Sequence, residues 1–335
     1  MMFLRRILYL GYYFKQLNWT LLRKFMRHTS RQYGVSVFGQ WWQIITCSLR
    51  YNISLLEFYQ FGFIHQPSHA RATWAGTGTM YEFQRIANPP SARTLLSDKR
   101  TFYNAYKQYF RHQLFTLQEF EASPSRVNEL LRDHPVLVCK AASGNCGRQV
   151  AFFNTAGQTA DQFWNFVSAG KFDLVETFAL QHPALNALSP SAVNTVRIFT
   201  CLDDKNDVRI LGCRLRISVN CKVDNLAAGN LAAPIDEQTG VVSGPGVYSD
   251  ITRPDESRHP VTGVSIVGFQ IPFWPETLDL VRQAAKLHPQ NRSIGWDIVI
   301  TPEGPGLIEG NHDWCKLVWQ LPVKRGLKQL LPQTK

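Results

Sequence analysis

Over the first 31 residues, apolar side chains fall at Phe3, Ile7, Leu10, Phe14, Leu17, Leu21 and Phe25. Steps of three and four predict one amphipathic helix, with Arg5, Arg6, Lys15, Arg23, Lys24, Arg27 and Arg31 around its other faces. Helical patterning rich in aromatic residues continues to about residue 94, interrupted by turn signals in "QPSHARATWAGTGT". The Gly76 and Gly78 pair there follows no strand and lacks a third glycine in place, which predicts a loop rather than a dinucleotide site. "NPPSARTLLSDKRTFYNAYKQYF" marks a boundary: a Pro-rich loop, a helix start at Ser97/Asp98, then a helix. Beyond it the pattern changes. "PVLVCKAA", "FDLVETF", "AVNTVRIFTCL", "VRILGCRLRISV" and "GVVSG" read as strands, while "GQTADQFWNFVSAG" and "ETLDLVRQAAKLH" read as helices. "IGWDIVITPEGPGLIEGN", residues 294–311, reads as a hairpin around a Pro/Gly turn. Strands and helices mix without a strict βαβ rhythm, so the fold class is α+β. The expected organisation is a mainly helical region at 1–94, an α+β domain at 95–325 and a tail at 326–335.

Composition narrows the class. A chain of 335 residues, 44% hydrophobic and 18% charged, folds rather than staying disordered. The net charge of +11 favours an anionic partner or a solvated basic face. Seven cysteines without a CxxC pair argue for reduced thiols in a cytosolic protein, against a disulfide framework or a zinc site. Within the N-terminal stretch the longest uncharged run, Ile7 to Phe14, is far short of the ~20 apolar residues of a spanning helix. No small-residue cleavage site follows it, so a secretory signal is not expected. Two readings of the stretch remain: a helix on the protein's own core, or a helix on the cytoplasmic membrane surface.

Three constellations could carry chemistry. In the hairpin, Glu309 and Asn311 are two apart and share a strand face, and the turn can bring Asp297 onto that face. Two carboxylates and an amide oxygen suit a hard cation such as Mg²⁺; acids that merely end strands in solvent are the plain alternative. In "VLVCKAASGNCGRQV", Lys140 ends an apolar strand before a loop with Ser143, Gly144 and Gly147. That arrangement can cradle phosphate but also makes an ordinary turn, and it is not a Walker loop. In "VNTVRIFT", Asn194 and Arg197 interrupt an apolar strand, with Arg214, Arg216, Asp224 and Asn225 following. Arginines at apolar strand positions need an anionic partner, whether a substrate or a structural acid.

The order of these pieces over roughly residues 95–325 resembles the sugar-transfer-associated ATP-grasp family. The matching stretches are "LLSDKRTFYNAY", "VCKAASGNCG", "VETFALQHPALNALSPSAVNTVRIFT", "LRISVNCKVDNLAAGN", "HPVTGVSIVGFQIPFW" and "SIGWDIVITPEGPGLIEGN". The resemblance implies an ATP-grasp fold, two α+β subdomains clamping ATP behind the helical region. It implies that Lys99, Lys140 and the loop with Ser143, Gly144 and Gly147 contact the phosphates. Glu176, Thr177 and Phe178 would lie at the adenine hinge, and His182 near the ribose. Arg197 would face the transferred phosphoryl group, while Asp297, Glu309 and Asn311 hold Mg²⁺. Arg216, Asn225 and Gly229 would line the acceptor side. The family tends to carry Gly-Gly near 229, where this chain has Gly229-Asn230.

The implied activity is amide formation by an ATP-dependent carboxylate–amine ligase in surface-polysaccharide synthesis, joining an amino acid or amine to an acidic sugar. A sugar or lipid-head-group kinase and a non-catalytic relic of the fold are the alternatives; no nucleic-acid module is present. The implied location is cytoplasmic, with possible contact to the inner membrane face.

Overall fold

The computed structural model describes residues 2–142, 150–221 and 223–332. The chain opens with helices: α1 (Met2–Lys15), α2 (Trp19–Tyr33), α3 (Val37–Tyr51), α4 (Leu55–Gln60), α5 (Ser68–Arg71), α6 (Thr77–Ala87), α7 (Pro90–Ser97) and α8 (Lys99–Tyr106). The expected single N-terminal helix is two. The Asn18 side chain accepts the Leu21 N–H (3.0 Å) and caps α2, so the chain turns although the apolar period runs on through Leu17. Gly76 and Gly78 also depart from expectation: Gly76 caps α6 and Gly78 lies inside it. A Cβ on Gly78 would sit 2.1 Å from the Asn52 side chain, so glycine here permits close packing, not a loop.

A four-stranded antiparallel sheet follows, built from β1 (Leu114–Thr116), β2 (Val136–Lys140), β3 (Val150–Asn154) and β4 (Leu174–Thr177) in the order β1-β4-β2-β3. Helices α9 (Leu117–Ala122), α10 (Ser125–Asp133) and α11 (Ala160–Gly170) accompany it. Leu137, Cys139, Phe153 and Val175 pack from the sheet against Phe120, Leu130, Phe163 and Val167 of those helices. After α12 (Pro183–Leu188) comes a five-stranded antiparallel sheet: β5 (Val196–Leu202), β6 (Val208–Ile217), β7 (Leu231–Ile235), β8 (Ser293–Thr301) and β9 (Gly304–Asn311), in the order β7-β6-β5-β8-β9. Helices α13 (Trp274–Leu287) and α14 (Lys316–Gln320) complete the element list. The expected strand at "GVVSG" is not one: Val241 and Val242 make only isolated bridges, in an irregular segment between β7 and α13.

The five-stranded sheet is buried on both faces. One face, with Val196, Ile198, Cys213, Leu215, Ile298 and Leu307, packs on α8, α12 and α13. The other meets α6 and α14 through Phe199, Cys201, Leu211, Trp314 and Trp319. The helical region is joined to the rest without a linker. Helix α7 runs through residue 94, and Val247 and Leu321 belong to the apolar cluster of α1–α4. The architecture is α+β with a helical N-terminal region, as the pattern predicts.

Candidate active site

A cleft lies between the two sheets. Its lining includes Lys99 and Phe102 of α8, Lys140 of β2, Glu176 of β4, Ile308, Glu309 and Asn311 of β9, and then His312 and Asp313. Five sequence-predicted residues (Lys99, Lys140, Glu176, Glu309 and Asn311) therefore meet at one opening.

The wall from the four-stranded sheet is set by register. Val138 lies opposite Glu176, so Lys140, two residues on, is diagonal to Glu176 on the same face. The Lys140 ammonium is 2.5 Å from Glu176 Oε2, and His112 Nε2 is 3.6 Å from the same oxygen. Burial pushes Glu176 toward its neutral form, but Lys140 and His112 outweigh it and hold the carboxyl below its ordinary range. Burial likewise lowers the His112 pKa. Lys99 Nζ donates to the Ala141 carbonyl at 3.3 Å, which ties the start of α8 to the end of β2.

Behind the other wall, which Glu309 and Asn311 line, runs a buried ladder of charge. Arg197 of β5 lies directly opposite Asp297 of β8, and the pair is bidentate: Nε reaches Oδ1, and Nη2 lies 2.7 Å from Oδ2. Arg216 of β6 bridges two acids, with Nη1 2.9 Å from Asp297 Oδ2 and Nη2 2.7 Å from Asp224 Oδ1. Asp224 also accepts from the Thr195 N–H (2.9 Å) and hydroxyl (2.5 Å). Burial opposes ionisation of Asp297, yet Arg197 and Arg216 hold its carboxyl down to about 2. Glu309 is shifted the other way: burial, then repulsion from Asp297, raises its pKa. Two neighbouring carboxyls thus have their proton affinities pushed apart.

A β-bulge creates this neighbourhood. Asp297 pairs with Glu309, but Ile298 pairs with Leu307, leaving Ile308 as an extra residue on β9. Leu307 therefore joins the apolar core beside Ile298, whereas Glu309 joins Asp297 on the opposite face.

Other expected residues lie elsewhere or serve the fold. Thr177 is buried, and its hydroxyl accepts the Gln113 N–H (2.9 Å). Phe178 is partly exposed, edge-on to Phe152. His182 caps α12 by accepting the Ala184 N–H at Nδ1 (3.1 Å). The Asn225 side chain accepts from Ala227 N–H (3.1 Å), and Gly229 takes a left-handed φ of 88° just beyond. Asn230 is a clip: buried, it accepts from Val219 N–H (2.7 Å) and donates to the carbonyls of Val223 (2.7 Å) and Asn225 (3.0 Å). Arg214, expected with the anion-facing arginines, instead donates to the Trp319 carbonyl (2.6 Å from Nη2) inside the core. Ser143, Gly144 and Gly147 lie outside the described residues. His112 was not singled out by sequence, because a lone histidine between Arg111 and Gln113 carries no spacing signal.

Mg²⁺, implied by the resemblance, can be tested against the donor set. Asp297, Glu309 and Asn311 present oxygen, the donor chemistry of a hard cation. Among the described residues no cluster of three or more His, Cys, Asp or Glu could hold a metal, and this set reaches three only with the Asn311 amide. Asn311 Nδ2 donates to Glu309 Oε1 (3.1 Å), leaving its oxygen for another partner. Asp297 already accepts three guanidinium N–H groups, and a carboxylate offers about four lone-pair sites. The residues fit. The Arg216 Nε, buried without a hydrogen-bond partner, is a donor that a further anion could use.

Comparison with known proteins agrees with the family resemblance of the sequence. The family model described as sugar-transfer associated ATP-grasp matches residues 162–335. No curated protein matches the sequence. Similar solved structures include D-alanyl-alanine synthetase A from Vibrio cholerae O1 biovar eltor, with 12% identity and a TM-score of 0.41, covering 70% of this chain and 61% of that one. A biotin carboxylase–βγ-ATP complex from Campylobacter jejuni shows 14% identity and a TM-score of 0.41, covering 70% and 47%. The biotin carboxylase domain of Hydrogenobacter thermophilus 2-oxoglutarate carboxylase, with MgADP and bicarbonate, shows 17% and 0.38, covering 69% and 46%. The chain thus spans about half to three-fifths of the length of these structures.

Proposed function

Because the chain belongs to the sugar-transfer associated ATP-grasp family, we propose that it is an ATP-dependent carboxylate–amine ligase whose catalytic unit is residues 95–325. The observation that carries this reading is the meeting, at one cleft between two sheets, of the Lys140–Glu176 pair with Glu309 and Asn311, with Asp297 buried behind them as the strand partner of Glu309.

In this reading Lys99 and Lys140 meet the ATP phosphates as compact point charges. Glu176 holds Lys140 in place from the next strand; with Thr177, Phe178 and His182 it marks the adenine and ribose end. Arg197 and Arg216 stand pre-oriented by Asp297 and Asp224, so they offset negative charge on the transferred phosphoryl group with little reorganisation. Asp297, Glu309 and Asn311 would hold Mg²⁺, which when bound neutralises phosphate charge. A carboxylate oxygen of the acid substrate attacks the γ-phosphorus as the bond to ADP breaks. The amine then attacks the acyl-phosphate carbon, and inorganic phosphate leaves. No protein nucleophile is required. Asn225 and Gly229 lie on the acceptor side. The family description supports a role in sugar transfer, and we assign an acidic sugar and an amino acid or amine as the substrate classes.

Thermal melting with Mg²⁺, a non-hydrolysable ATP analogue, or both tests the site. Both together should raise the melting temperature, because a ligand that binds only the folded state stabilises it by mass action. No shift at millimolar concentrations would remove the nucleotide site. Free phosphate released only when an acid and an amine are both supplied marks a ligase; ADP without free phosphate marks the kinase alternative.

A further inference from the structure

The N-terminal helices carry charge and apolar surface that the cleft does not use. Residues 1–56 contain eight lysines and arginines, seven from Arg5 to Arg31 plus Arg50, and no aspartate or glutamate. That is +8 of the chain's +11. One of the eight, Lys24, pairs with Asp250 at 2.5 Å.

The apolar surface is not the stripe that the sequence period suggests. Phe14 and Phe25 of that stripe turn inward: Phe25 is fully buried, and Phe14 stacks on Trp41 of α3. The adjoining side of α1 is open, with Leu4 64% and Leu8 67% exposed on successive turns and Ile7 of the stripe 46% exposed between them. On α3, Phe38 is 84% and Trp42 71% exposed, again one turn apart. The two helices run antiparallel as neighbours, because Phe14 meets Trp41 at one end and Arg6 and Arg50 line one surface pocket at the other. Exposed apolar side chains on two adjacent helices, Leu4 and Leu8 near the start of α1 and Phe38 and Trp42 near the start of α3, in a segment of eight basic and no acidic residues, form the docking surface.

We propose that this face seats the protein on an anionic phospholipid bilayer. Phe38, Trp42, Leu4 and Leu8 enter the boundary between headgroups and acyl chains, and the basic residues meet lipid phosphates. Charge selects this occupant. A second copy of the chain would bring the same +8 to a shared interface, and like charges oppose that contact. A nucleic acid answers the charge but offers no hydrocarbon for the exposed leucines.

Co-sedimentation of the full chain with vesicles tests the proposal. Binding is expected to phosphatidylcholine vesicles containing one-third phosphatidylglycerol, not to phosphatidylcholine alone, and should weaken at high salt. The Phe38→Ser, Trp42→Ser double variant should lose at least about tenfold in binding while its melting temperature is unchanged, since both side chains are exposed. Absence of binding to anionic vesicles, or equal binding by the double variant, would overturn the proposal. A free-protein dimer dissolved by the same substitutions would give the face to a second copy. Equal binding to a DNA duplex and to anionic vesicles, unmoved by the double variant, would make it a polyanion site. Each outcome is independent of whether the cleft is a ligase site.

Discussion

The two walls of the cleft use the same device, a basic strand residue pinned by a carboxylate on a neighbouring strand, but at different depths. Lys140 and Glu176 form a short pair with one further neighbour, His112, and the Lys140 side chain is partly exposed at the cleft edge. Arg197, Arg216, Asp297 and Asp224 are almost wholly buried and share partners across four strand and loop positions. A buried charge deprived of its partner cannot recover solvation, whereas a group at the edge can. The deep wall should therefore couple stability to function, and the edge wall should keep them apart.

The strongest way to break that contrast is Asp297→Ala. Two guanidinium groups lose a shared partner in the interior, so we expect destabilisation of about 3–5 kcal/mol together with loss of ADP formation. Denaturant melts of this variant at wild-type stability would contradict the coupled reading of the deep wall.

Lys140→Ala should separate the two effects. Turnover should fall by about 10²–10³, the cost of removing one electrostatic contact to a reacting group, while stability drops by about 1–3 kcal/mol, because Glu176 stays buried but keeps His112 beside it. Steady-state ADP release and a urea midpoint on the same preparation decide it; an equally deep loss in both would merge the two walls.

The acid limb of stability sharpens the comparison through Asp297. Its folded pKa is about 2 against an ordinary value of 3.8, so its contribution is complete above the unfolded value and is lost as pH falls through about 2. Glu309 has the opposite sign. Its raised pKa means that it adds no cost below about pH 4.5, its ordinary value, and a cost that grows from there toward the folded value and is complete above it. Unfolding midpoints taken across pH should fall on the acid side in wild type.

The smallest expected effect follows from the same opposition. Glu309→Gln should make the ligand-free protein more stable at neutral pH by roughly 1 kcal/mol while abolishing the Mg²⁺-dependent thermal shift with nucleotide. A variant that is less stable than wild type would show that the Glu309 charge supports the fold rather than straining it.

Much of this was legible in the sequence because local chemistry decides it. The Pro/Gly turn between β8 and β9 sets the hairpin, and a lysine closing an apolar run can only emerge at a strand end, as Lys140 does. The losses came where tertiary packing decides. The period through Leu17 hid the break that Asn18 makes by capping α2. Arg214 looks like its neighbours in sequence, but three residues from α14's Lys316, at Trp319, a carbonyl is placed to take its guanidinium. The pairing of His112 with Glu176 joins the segment before β1 to β4, a contact between residues 64 positions apart that no local spacing encodes. Val241 and Val242 make single bridges rather than a strand because each pairs with a different segment, Val241 with Gln270 and Val242 with Ile235 at the end of β7.

The extra residue at Ile308 sets a rule for how this hairpin can vary. Leu307 and Glu309 have the same parity, so in a regular ladder both would point into the apolar core, and only the bulge sends them to opposite faces. Deleting Ile308 would make them consecutive residues of a regular ladder, with Leu307 still opposite Ile298 and Glu309 still opposite Asp297, so each would keep its face. The turn from Thr301 to Gly304 is equally free, since changes beyond the last paired residues leave both faces in place. Length change should therefore be tolerated at the tip and at Ile308 alike, and a relative lacking the bulged residue should keep its acidic cluster.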